Sequence, residues 1–106
     1  MGMTCYLNEL AAEIQAEIDP ALVPRGDTAS LWRMYAVLVR AKGVDVQAAD
    51  VHDAWTAWAL TEKPNHQALL PFEQLDPDTQ AKDEPYVLAL RRVAARRRSA
   101  ARTITS

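Results

Sequence analysis

Residues 31–39 read Leu-Trp-Arg-Met-Tyr-Ala-Val-Leu-Val, and a helix built from them is apolar on nearly every side. Leu31, Trp32, Met34, Tyr35, Val37, Leu38 and Val39 run round its circumference. Only Arg33 and Arg40 mark a wet stripe. A helix with so little polar surface needs other elements around it. The stretch therefore predicts a central helix, capped by Asp27 or Thr28 and closed by Gly43, which tolerates the positive φ of a helix end. A Met/aromatic cofactor box is the sharper reading of the same residues, but composition favours core packing. Glycine is scarce, with three in the chain, and alanine is abundant. The neighbours of this helix are therefore expected to be helices too. At 106 residues the chain is long enough for a single core. The expected fold is all-α: a compact bundle of about four main helices with an irregular apolar strap over residues 63–75 and a basic C-terminal extension. Residues 1–96 would form the domain and residues 97–106 a basic, flexible tail.

The other elements follow from local signals. Leu7, Leu10, Ala11, Ile14 and Ile18 recur at helical spacing, which predicts a first helix from Thr4, as N-cap, to Ile18. Asp19-Pro20 ends it, because a residue before proline avoids helical angles. Val44-Asp45-Val46 reads as a short extended connector. A third helix from Gln47 or Ala48 to about Glu62 buries Val51, Trp55, Trp58 and Ala59. Lys63-Pro64-Asn65 breaks it, and Phe72–Leu75 suits one helical turn. Asp76-Pro77 is a strong helix start, an acidic N-cap followed by proline. Pro85 begins a last helix that faces the core with Tyr86, Leu90, Val93 and Ala94. Arg97 falls on the same face, so packing is expected to end near Ala94, with the helix projecting or fraying beyond.

Residues 51–75, VHDAWTAWALTEKPNHQALLPFEQL, hold two of the three tryptophans, both histidines and the single phenylalanine. Val51-His52-Asp53-Ala54-Trp55, then His66-x-x-Leu69-Leu70-Pro71-Phe72-Glu73-Gln74-Leu75, then Asp83 eight residues later, resembles the RyR domain. That family is a small helical module named for ryanodine receptors and found also in bacteria and phages. The likeness spans residues 51–93. The family's Gly-Trp-x-Tyr-Gly turn is missing between Leu60 and His66, and Asn65-His66-Gln67 stands where its His-Pro falls. The whole chain is also similar to a set of small proteins from actinobacteria and their phages that share a VH-x-AW…LVPF-x-x-L layout. The resemblance implies a helical fold, Asp83 as a partner for His52, and a role in sensing a nucleotide-derived ligand.

Several functions have no support in the residues. One cysteine, Cys5, excludes an internal disulfide and any multi-cysteine zinc site. His52 and His66 stand fourteen apart, which is no zinc spacing, so no metal and no cofactor are expected. The serines and threonines lie at caps or in the tail without a glycine-rich elbow. Gly2, Gly26 and Gly43 are isolated and form no phosphate loop. No run approaches the length of a membrane span and no leader pattern opens the chain, which gives a cytoplasmic expectation, in a bacterium or an infected bacterial host. Residues 1–90 hold six basic and fourteen acidic residues, a balance of −8. Residues 91–106 hold Arg91, Arg92, Arg96, Arg97, Arg98 and Arg102 with no acid, a balance of +6. Those arginines suit a solvated helix end, contact with an acidic body, or weak nucleic-acid binding without aromatic stacking.

These readings give a non-enzymatic binding module as the expectation. Its ligand would be small and nucleotide-like, held by His52, Trp55, Asn65, His66, Phe72, Asp83 and Tyr86, with Trp58 as a further stacking face. The competing expectation is a protein-interaction module with an apolar patch in place of a pocket. A nucleic-acid accessory acting through the arginines is the third. Nothing in the sequence fixes the oligomeric state.

Overall fold

The computed structural model describes the backbone of residues 5–105 and the side chains of residues 5–101. Five α-helices occur: α1 (Tyr6–Glu17), α2 (Ala29–Lys42), α3 (Ala48–Glu62), α4 (Pro77–Ala81) and α5 (Glu84–Thr105), with no strand among the described residues. The short α4 leaves four long helices, an all-α bundle. Single 3-10 turns at Pro20–Leu22, Gly43–Asp45 and Phe72–Gln74 punctuate the connections.

Local chemistry explains most boundaries. Asp76 accepts the Thr79 amide at 2.7 Å and Pro77 occupies the first position of α4. Gln47 and Asp50 form a reciprocal capping box at the start of α3. At α2 the two expected caps divide the work. The Asp27 carboxylate accepts the Ala29 amide, while the Thr28 hydroxyl accepts the indole N–H of Trp32 at 3.1 Å. Gly43 ends α2 at φ +58°, where a Cβ would be strained. The connector after it is a 3-10 turn and not the extended segment expected, because the Val46 amide folds back onto the Gly43 carbonyl. Cys5 occupies the N-cap position of α1, and Thr4, the cap expected from sequence, lies outside the described residues.

The core is continuous. Leu10 and Ile14 of α1, Leu31, Trp32, Tyr35 and Val39 of α2, Val51 and Trp58 of α3, and Tyr86, Leu90 and Val93 of α5 are all buried. Each such large side chain contributes about 1.5–3 kcal/mol by leaving water. Polar atoms on these residues are matched: Trp58 donates to the Asp27 carbonyl at 2.8 Å, and Tyr86 donates to the Leu22 carbonyl at 2.7 Å. The Trp58 bond ties the end of α3 to the start of α2, and the Lys42–Asp50 ion pair ties the opposite ends. The two helices therefore run antiparallel, side by side.

One expectation from sequence changes here. α2 packs against α1, α3 and α5, as a central helix should, yet it is not fully enclosed, since Val37 is 53% exposed. Burial on α5 ends at Ala94, as expected, and of the two alternatives beyond it the helix projects, to Thr105, because no glycine or proline follows Pro85 and alanine and arginine are strong helix formers.

Candidate functional site

The residues that sequence patterning assembles around His52 do come together, but as an interior joint. His52 is 3% exposed. Its Nε2–H donates to the Leu70 carbonyl at 2.6 Å, which pins the strap to α3, and the Thr56 hydroxyl lies 3.4 Å from the same nitrogen. Nδ1 faces Asp83 Oδ2 at 3.9 Å, too far for a direct hydrogen bond. Burial pushes the Asp83 carboxyl up to about 6, against a smaller downward pull from His52. Burial and the Asp83 charge likewise push Tyr86 up to about 12. Tyr35 is raised as well, chiefly by burial. Trp32, Tyr35 and Tyr86 form one aromatic cluster with centroids 5.5–6.3 Å apart.

Around that joint the exposure falls off unevenly. Trp55 stacks on His52 with centroids 5.6 Å apart and meets His66 edge-on at 5.0 Å, while Phe72 is tilted 6.3 Å from His52. Trp55 and Phe72 are half-buried, and Asn65 and His66 are exposed. Trp58 and Tyr86 offer no free face, being 0% and 7% exposed. Asn65 and His66 sit in the turn after α3, where the His66 Nδ1 accepts the Ala68 amide at 3.0 Å. Two grooves in the surface are lined by other residues. No group of three or more histidine, cysteine or acidic side chains among the described residues could hold a metal ion.

The arginines are largely committed to the chain itself. Arg91 donates to the Val46 carbonyl at 2.7 Å. Arg92 and Arg96 pair with Glu17, and Arg96 and Arg97 with Glu13, so α5 is clasped to α1 past the last buried residue. These hydrogen bonds hold the Glu17 carboxyl below its ordinary range and raise Arg96 above its own. Arg98 is exposed, and the side chain of Arg102 lies outside the described residues.

The surface feature that patterning did not single out lies between α2 and α3. Met34, Val37, Leu38 and Ala41 form one bank, and Asp50, Asp53, Ala54 and Ala57 the other, of an open, mainly apolar groove of about 460 Å³. Leu60, 57% exposed, follows Ala57 by one turn. The signal was present in the sequence: α2 carries more apolar faces than its neighbours can cover, and α3 sets alanines opposite its tryptophan stripe. A second groove of about 470 Å³ lies between the end of α1 and the start of α5, with Ile18, Leu22, Pro85 and Leu88 amid Glu17, Asp19, Glu84 and Arg92.

No helix among the described residues is long and apolar enough to cross a membrane. No curated protein and no solved structure matches the chain. A family model spans nearly all of the bundle, from the start of α1 to just past the last buried residue of α5, and on that match over residues 5–95 the chain belongs to the family described as a domain of unknown function, DUF7701.

Proposed function

We propose that this chain is a non-enzymatic protein-interaction module that receives an α-helical surface in the groove between α2 and α3. The observation that carries the reading is the groove itself: mainly apolar, open, and lined by two antiparallel helices with three alanines among the lining residues. Open grooves of this kind accept the apolar face of a helix, whereas small-molecule sites are more enclosed. Ala41, Ala54 and Ala57 permit close approach of a backbone, and Met34 adapts its shape to what lies against it. Selection from a displayed library of helical peptides tests the reading. Binders are expected to be lost on Ala57→Arg and kept on Glu73→Arg, which changes the strap side. Binders indifferent to Ala57→Arg would overturn it.

A second reading has one observation in its favour. Half-buried Trp55 and Phe72 lie beside exposed Asn65 and His66, at the edge of the strap that carries the RyR-like pattern. A small nucleotide-type ligand would stack there on a ring edge. Thermal shift against a panel of nucleotides tests this, and the absence of stabilisation by every member rejects it.

A further inference from the structure

The occupant of the α2/α3 groove can be named from the charges at its two ends. Asp50 and Asp53 stand where α3 begins, and Asp50 is already paired with Lys42 at 3.2 Å and committed to the capping box. Asp53 is exposed and takes part in no ion pair among the described residues. Because α2 runs antiparallel to α3, its start lies at the opposite end of the groove. There Arg33, which borders the groove without lining it, stands one helical turn before Val37, exposed and equally without an ion pair among the described residues. Arg40, the other cation of this helix, lies over the Tyr6 ring at 5.4 Å. The face thus reads, from end to end, as free acid, apolar middle, free base.

We infer that a second copy of this chain fills the groove, related by a two-fold axis lying in the contact plane, so that Arg33 of each copy meets Asp53 of the other. This rests on the docking reading above and names its partner. A two-fold contact brings one patch against itself, so the patch must carry both signs of charge or neither. This one carries one of each, set apart by the apolar stretch of Val37, Leu38, Ala54 and Ala57 that the contact would bury. A foreign helix would need matching charges of its own, whereas the second copy already has them in the right order.

Sedimentation equilibrium on the full chain tests the inference. The expected result is a monomer–dimer equilibrium. Arg33→Asp and Asp53→Arg are each expected to weaken it on the order of tenfold or more, since symmetry places two like-charge contacts in every dimer. The doubly swapped chain, Arg33→Asp with Asp53→Arg, is expected to recover it, and Ala57→Arg to abolish it. All three substituted positions are exposed, and thermal melts near that of the parent chain show that each of the four variants is folded. A chain that stays monomeric at every concentration overturns the inference. So does a dimer insensitive to Ala57→Arg, or single swaps that weaken the dimer without rescue in the double. A monomer that still takes helical peptides on the Val37–Ala57 face overturns self-association alone and leaves the docking reading standing. A monomer that takes none overturns both.

Discussion

Asp83→Asn is expected to stabilise the protein at neutral pH. The Asp83 carboxyl sits beneath the strap, 15% exposed at its side chain, with no direct hydrogen bond to His52. Burial raises it from 3.8 to about 6. The folded chain therefore holds this proton more tightly than the unfolded chain does. Linkage then fixes the sign: the contribution of this group to stability is greatest below about pH 4, declines as pH rises to about 6, and stays low above that. Raising the carboxyl from 3.8 to about 6 corresponds to about 3 kcal/mol at neutral pH. The amide is nearly isosteric with the protonated acid and cannot ionise, so the substitution removes that cost. For a domain of this size each 1 kcal/mol moves the melting temperature by roughly 4–8 °C. The assay is a set of paired thermal melts of parent and variant from about pH 4.5 to about pH 8, reading the difference between them. That difference cancels the other carboxylates. It is expected to be small at the acid end and to grow through about pH 6 in favour of the variant. A flat difference, or a variant less stable at the alkaline end, would refute the reasoning. The latter result would mean that the ionised carboxylate is held by a charged His52 more strongly than burial penalises it.

Further expectations follow from the same contacts. His52→Ala removes the donor to the Leu70 carbonyl, and with it about 1–3 kcal/mol of stability plus the packing of the ring. Limited proteolysis is expected to cut first within residues 63–75, and cutting elsewhere would show that the strap is held by its apolar anchors alone. Trp58→Phe keeps most of the buried volume but leaves the Asp27 carbonyl without its indole donor, at about 1–3 kcal/mol, readable by chemical denaturation. Arg96→Ala breaks the exposed clasp to Glu13 and Glu17, so the melting temperature is expected to drop slightly at low salt and not at high salt. A drop independent of salt would point to lost packing of the arginine stem instead.

Much of the bundle was legible because its boundaries are set by local chemistry. Asp76-Pro77, Gly43 and Lys63-Pro64 act over one turn, and the burial of Leu10, Ile14, Tyr35, Val51, Trp58 and Leu90 follows from their spacing. What depended on distant partners was not legible. The Leu70 carbonyl that His52 meets is eighteen residues away, and no pattern in residues 52–70 specifies it. Trp55 shares the stripe of Trp58 but faces the strap and not a helix, so it is only half covered. Arg97 rightly marked the end of packing near Ala94, but nothing local showed that its guanidinium would reach Glu13 of α1. The groove escaped notice for a related reason: periodicity shows that α2 is apolar on several faces but not which of them is left without a neighbour.

Isotope-edited amide spectra over a dilution series test the central claim most directly. If a second copy of this protein binds in the α2/α3 groove, the resonances that move with concentration belong to residues 33–41 and 50–60, while those of residues 63–75 stay fixed. Concentration-dependent movement confined to the strap or to α5, with the groove unchanged, would contradict it.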